Sequence, residues 1–177
     1  MKRQQKSLKR GGIKLEASIV FFCLAITLHN LEEAIWLPKW SQQVSKFQKP
    51  VTTSEFHFAV IVITALAYLS AFIYMNFPDF QLGKWLFIGF LSSMVLNAIF
   101  PHLLATIATK TYAPGLITGL LLNIPINSFI LYQMFQQGVM TWRELIVSTV
   151  VVGPCLIALI PLLFWGGRQL SPFSHHA

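Results

Sequence analysis

An imidazole and two carboxylates stand close together in the first apolar stretch of the chain. His29, Glu32 and Glu33 are spaced at i, i+3 and i+4, so an α-helix presents all three on one side. Such groups can hold a metal ion, share a proton or activate a water molecule. Because a charged group near the centre of a bilayer costs about 2.5 to 3.5 kcal/mol on insertion scales, the pattern predicts a polar site inside a helix bundle.

The composition predicts that these residues lie in a membrane protein. Of the 177 residues, 55% are hydrophobic and 11% are charged, whereas a soluble domain carries about 25% charged residues. Five apolar segments each reach the length of about 20 residues that crosses a bilayer, at approximately 15–37, 54–77, 84–109, 114–136 and 143–165. The predicted fold is an all-α, polytopic membrane helix bundle. We divide the chain into a basic tail at 1–14, a single transmembrane domain at 15–165 and a short polar tail at 166–177.

The distribution of the basic residues predicts the orientation. The net charge is +7, and much of it lies in the N-terminal tail. A basic segment beside a membrane helix indicates contact with anionic lipid headgroups and no role in binding nucleic acid. With the N-terminus in the cytoplasm, eight Lys and Arg residues lie inside and five outside, so the positive-inside rule predicts a multi-pass protein of the plasma (inner) membrane with a cytoplasmic N-terminus.

A second polar group lies in the third and fourth segments. Asn97 precedes His102, and Pro101 between them should open the helix about one turn back, near Asn97. Counted at about 1.5 Å per residue, His29, His102 and Asn123 reach similar depths in the outer half of the predicted bundle. The sequence therefore predicts that polar side chains from three segments converge in one layer.

These residues fall into three candidate groups. The candidate metal ligands are His29, Glu33 and His102. The candidate catalytic residues are Glu32, Glu33, His102 and Asn97, and the candidate substrate-binding residues are Tyr112, Thr118 and Asn123. Two imidazoles with a carboxylate suit Zn²⁺, and also Fe²⁺ or Mn²⁺. Because Glu32 and Glu33 point about 100° apart on a helix, we expect one to bind the metal and the other to support it or to act as a general base.

The same residues resemble a family of mostly bacterial membrane proteins named for the motif His-x-x-Glu-Glu. That family also has an asparagine shortly before a second histidine, and then a Tyr-x-Pro-Gly-x-x-Thr element. The matching residues here are His29, Glu32, Glu33, Asn97, His102, Tyr112, Pro114, Gly115 and Thr118. The resemblance runs from the first segment into the fourth. It implies a shared membrane fold and a shared polar site, without implying a particular reaction.

Three classes of function remain open at this point. The preferred one is a metal-dependent membrane enzyme that acts on a lipid, an isoprenoid or a membrane-held peptide. The second is a metal-free intramembrane glutamic hydrolase, in which Glu32 activates water and His102 with Asn97 stabilises an oxyanion. It is partly similar to the CAAX-type membrane proteases but lacks an arginine within a turn of Glu33. The third is a non-enzymatic ion or proton carrier or an accessory subunit, with a homo-oligomer compatible with any of the three. A structural hydrogen-bond cluster between helices is the simplest alternative.

Two further features are assigned weaker roles. His57 is an additional candidate ligand near the start of the second segment. The connection at 38–54 is a candidate lid over the site, because it mixes Trp40 and Phe47 with lysines, as short interfacial helices do. The terminal His175 and His176 are given no role.

Overall fold

A computed structural model describes residues 15–46 and 49–170, and this part of the chain is all helical. Its helices are α1 (Leu15–Gln43), α2 (Thr53–Asn76), α3 (Gln81–Thr109), α4 (Leu116–Gln136) and α5 (Trp142–Leu170). All five are long and apolar enough to cross a membrane, which confirms the predicted helix bundle. The predicted basic tail at 1–14 and the terminal His175 and His176 lie outside the described residues.

The first connection is shorter than the sequence suggested. α1 continues beyond residue 37, contains Pro38 and ends at Gln43, so Trp40 belongs to this helix and not to a separate lid. α2 begins at a reciprocal cap, in which Thr52 Oγ1 accepts a hydrogen bond from the Glu55 amide and the Glu55 carboxylate accepts one from the Thr52 amide at 2.7 Å. Such a cap satisfies two amide groups that would otherwise lack partners at a helix start.

The apolar core joins all five helices in the half of the bundle that contains the start of α1. The Phe22 ring meets the Phe87 ring edge to face at a centroid distance of 5.4 Å, and Tyr74 stacks on Phe87 at 4.9 Å. Ile130 and Met134 of α4 are fully buried against the same cluster. Aromatic pairs of this kind contribute about 0.5 to 1.5 kcal/mol each beyond their buried area, so this core gives the polar residues a rigid support.

The first half of α5 packs closely on α3 because small residues line the contact. A Cβ atom at Gly89 would lie 2.4 Å from the Cβ atom of Val152, so the two backbones can approach only with glycine at this position. Close by, Thr149 Oγ1 donates a hydrogen bond to Ser92 Oγ at 2.8 Å. Small and hydroxyl-bearing residues are the usual means by which helices associate within a membrane.

The last half of α5 packs on α2 instead. The rings of Phe164 and Phe56 lie 6.1 Å apart, and Arg168 Nη1 donates to Glu55 Oε1 at 2.6 Å. A Cβ atom at Gly167 would lie 2.8 Å from Glu55 Cα. α5 therefore crosses the bundle from α3 to α2.

Candidate functional site

His29, Glu33 and His102 form a compact cluster inside the bundle. One potential ligand atom from each lies within 4.8 Å of the others. The Nε2 atom of His102 is 3.1 Å from Glu33 Oε1, and that of His29 is 3.9 Å from Glu33 Oε2. Both histidines are almost fully buried, with exposed fractions of 1% and 4%. The structure thus brings together the three residues that the sequence offered as metal ligands.

A break in α3 brings His102 to this position. The helix is kinked within Ala98–Leu103, because Phe100, just before Pro101, leaves the helical conformation with φ −124° and ψ 115°, as a residue preceding proline tends to do. In a regular α-helix, residues five apart such as Asn97 and His102 point about 140° apart, so the kink is needed to bring their side chains together. Asn97 Nδ2 lies 3.0 Å from His102 Nε2 and 3.1 Å from His29 Nε2. The asparagine therefore holds the two imidazoles side by side.

Glu32 faces away from the histidines and binds the start of α4. Its carboxylate accepts hydrogen bonds from the backbone amides of Gly115 at 2.8 Å and Thr118 at 3.1 Å, and from the Thr118 hydroxyl at 2.6 Å. The Tyr112 hydroxyl also donates to it. The first amides of a helix lack partners within the helix and attract negative charge. Glu32 therefore acts as an anchor between α1 and α4, while the adjacent Glu33 faces the histidines.

Thr118 contacts both Glu32 and His29, and its hydrogen bonds determine which ring nitrogen of His29 carries hydrogen. The single hydroxyl hydrogen of Thr118 is donated to the Glu32 carboxylate. Thr118 Oγ1 also lies 3.1 Å from His29 Nδ1, so it must accept a hydrogen bond from that nitrogen. In a neutral imidazole the other nitrogen then carries a lone pair. The Nε2 atom of His29 consequently directs its lone pair toward the cluster, where Asn97 Nδ2 lies 3.1 Å away.

Gly115 closes the site from the side of α4. Its φ angle is +91°, and a Cβ atom there would lie 2.8 Å from His102 Cε1 and 2.9 Å from His29 Cε1. Only glycine combines this backbone conformation with such a close approach. In the sequence, Gly115 belongs to the Tyr-x-Pro-Gly-x-x-Thr element, and only the structure shows that the groups packed against it are the two imidazoles.

Tyr112 lies outside the membrane-spanning helices, at the edge of the site. Burial, together with the hydrogen bond to the Glu32 carboxylate, raises the pKa of the Tyr112 phenol to about 12. Its hydroxyl also accepts a hydrogen bond from the Ile117 amide at 3.2 Å. Tyr112 therefore remains neutral and keeps donating to Glu32 over the ordinary range of pH.

The remaining candidates occupy other positions. Asn123 is fully buried in α4, and the exposed His57 places Nε2 3.0 Å from the backbone oxygen of Ala34. Among the described residues, the cluster of potential ligands comprises His29, Glu33 and His102 and does not include His57. The roles of Tyr112, Thr118 and Asn123 in substrate binding stay predictions.

A large cavity adjoins the cluster. Its volume is about 550 Å³, and Glu33, Asn97 and His102 form part of its wall. Most of the remaining wall is apolar and comes from α1, α2, α3 and α5, including Trp40, Phe56 and Phe164. Sequence periodicity did not indicate this cavity, because its walls come from four separate helices.

The chain has relatives among known proteins. It is 68% identical over 154 residues to the uncharacterized protein YrkK of Bacillus subtilis (strain 168), an alignment that covers 87% of this chain and 98% of the relative. No solved structure matches the chain. The model of the family described as proteins of unknown function with an HXXEE motif matches residues 20–130, and the chain belongs to this family.

Proposed function

We propose that His29, Glu33 and His102 bind one divalent metal ion and that the protein is a metal-dependent enzyme acting on a lipid-like or membrane-held substrate. The observation that carries this proposal is the approach of three potential ligand atoms to within 4.8 Å of one another. Ligand atoms held about 2.0 to 2.2 Å from one ion lie at most about 4.4 Å apart, so small side-chain rotations complete such a site.

The hydrogen bonds around the cluster support metal binding. A metal-binding histidine usually donates its other N–H group to a neighbouring acceptor, as His29 Nδ1 does to Thr118. Three protein ligands leave a coordination position for water or for a substrate oxygen, and a metal bound there would polarise that oxygen. Zn²⁺, Fe²⁺ and Mn²⁺ all accept two imidazoles and a carboxylate.

The same geometry also favours one metal-free alternative. Glu33 Oε1 lies 3.1 Å from His102 Nε2, and Asn97 contacts both imidazoles. In a glutamic hydrolase, Glu33 would activate water while His102 and Asn97 stabilise an oxyanion. Glu33 is better suited to this role than Glu32, because four donors occupy the Glu32 carboxylate.

Metal analysis of the purified protein separates the two proposals. Detergent-purified protein from cells supplied with Zn²⁺, Fe²⁺ and Mn²⁺ is expected to retain about one ion per chain. Glu33→Gln and His102→Ala should lose it. His57→Ala is the matched control, because this histidine donor lies outside the cluster. Wild-type protein that binds none of the three metals would overturn the metal-dependent proposal and favour the metal-free hydrolase.

A further inference from the structure

The cavity beside the cluster opens toward the membrane between α3 and α5. Leu96 and Phe100 of α3 and Ile157 of α5 line the cavity, yet their exposed fractions are 52%, 63% and 64%. These side chains therefore face the cavity and the surroundings of the bundle at once. In a membrane-spanning bundle, those surroundings are lipid tails.

The packing of α5 explains why the opening lies there. α5 contacts α3 through Gly89 and Val152, and it contacts α2 through Phe164 and Gly167. Ile157 lies between these two contact regions. On the opposite side of the opening, a kink at Phe100 interrupts the regular course of α3. The crossing of α5 and the break in α3 together produce a lateral entrance.

The cavity is amphipathic along its length. It extends along α5 from Gly153 to Phe164, which is about 16 Å at 1.5 Å per residue. Glu33, Asn97 and His102 supply polar groups on one wall, whereas aromatic and aliphatic side chains supply most of the rest. Its volume of about 550 Å³ lies in the usual range for a site that holds one small molecule.

The charges at the polar wall indicate which head group fits. A divalent ion with the single Glu33 carboxylate leaves one net positive charge at the ligand cluster, while the Glu32 carboxylate points away from the histidines and is held at the start of α4 by four neutral donors. A carboxylate oxygen complements this charge and can occupy an open position on the metal. The assignment of a carboxylate head group rests on the proposed metal site, whereas the lateral entrance does not.

From these observations we infer that the substrate class is a lipid with one hydrocarbon chain and a carboxyl head group, a fatty acid being its simplest member. It enters from the bilayer between α3 and α5. Its chain lies in the apolar part of the cavity, and its head group meets Glu33 and His102.

Photolabelling in lipid vesicles tests this inference. The probe is a hexadecanoic acid that carries a diazirine near the middle of its chain and a terminal alkyne, and labelled peptides are mapped by mass spectrometry. Label is expected on cavity residues such as Phe56 and Phe164. Excess unlabelled hexadecanoic acid should remove this label, whereas hexadecane should not, because it lacks the head group.

A pair of tryptophan variants on α5 tests the entrance. Ile157→Trp fills it and should reduce cavity labelling about tenfold. Ile146→Trp is the matched control, because Ile146 is 60% exposed on the same helix and lies outside the described cavity wall; its labelling should match the wild type. If Ile157→Trp does not purify as folded protein, Leu96→Trp blocks the other side of the entrance.

Metal content measured on the same samples separates the fatty-acid inference from the proposed metal site. Three results would overturn the fatty-acid inference even in metal-loaded protein. These are label that maps only to lipid-facing surfaces, equal loss of cavity labelling in the two tryptophan variants, and competition by hexadecane as strong as that by hexadecanoic acid. Protein without metal that still labels in the cavity and is blocked by Ile157→Trp would overturn the metal proposal while supporting lateral entry of the lipid.

Discussion

Substitution of Gly115 by alanine should disrupt the ligand cluster and lower stability more than the same substitution at Gly138. Gly115 has a φ angle of +91°, and a new Cβ atom would meet His102 Cε1 at 2.8 Å, His29 Cε1 at 2.9 Å and Glu33 Cγ at 3.1 Å. Hydrogen bonds hold both imidazoles in place, so neither ring can move away without losing a partner. Gly115→Ala therefore displaces the three candidate ligands together.

Two costs add in this variant. An alanine in a left-handed backbone conformation costs about 1 to 2 kcal/mol, and forcing an extra carbon into a packed site costs about 1 to 3 kcal/mol. The expected loss in the free energy of unfolding is therefore about 2 to 5 kcal/mol. Gly138 provides the control, because its φ angle is +69° and a Cβ atom there would meet nothing within 4 Å. Gly138→Ala should show only the cost of the left-handed backbone conformation.

Reversible unfolding by SDS in mixed micelles measures both variants, and metal analysis reports on the cluster itself. We expect Gly115→Ala to be less stable than Gly138→Ala by about 1 to 3 kcal/mol and to bind metal at least about tenfold more weakly. Equal stability and equal metal content in the two variants would refute the reasoning, because the contact of Gly115 with the histidines would then have no energetic consequence.

Three other outcomes are expected, two from the contacts of the glutamates and one from the distribution of basic residues. Glu33→Gln should abolish metal binding, whereas Glu32→Gln should retain metal and lose about 1 to 3 kcal/mol of stability through weaker bonds to α4; equal metal loss in both would contradict this division. The pKa of Tyr112 is raised to about 12, so the stabilising phenol contact should persist below about pH 10 and disappear as the pH rises toward 12. The phenolate absorbance that Tyr112→Phe removes should therefore titrate near pH 12, and titration near pH 10 would show that the contact does not form. A cysteine introduced at Ser174 should react with an impermeant maleimide from outside the cell, whereas one at Ser7 should not; the reverse pattern would invert the predicted orientation.

The sequence alone determined the membrane class and most of the candidate ligands. Five long apolar segments can satisfy their backbone groups in lipid only as helices, so the five spans follow from composition and length. The cost of burying charge singled out His29, Glu32 and Glu33, because an ionisable residue in such a helix requires a polar environment. Helical spacing also indicated that the two glutamates point in different directions.

Only the tertiary structure decided how those residues are used. The separation of Glu32 from Glu33 depends on the first turn of α4, whose free amides bind Glu32 and leave Glu33 to face the histidines. The pairing of Asn97 with His102 depends on the kink of α3 at Phe100, because a regular α-helix would place residues five apart in different directions. The cavity depends on the crossing of α5 from α3 to α2. Spacing along one helix determines the face on which a residue lies. The groups that contact that residue come from other helices, and close packing at small residues such as Gly89 and Gly115 sets the distance between those helices and the residue.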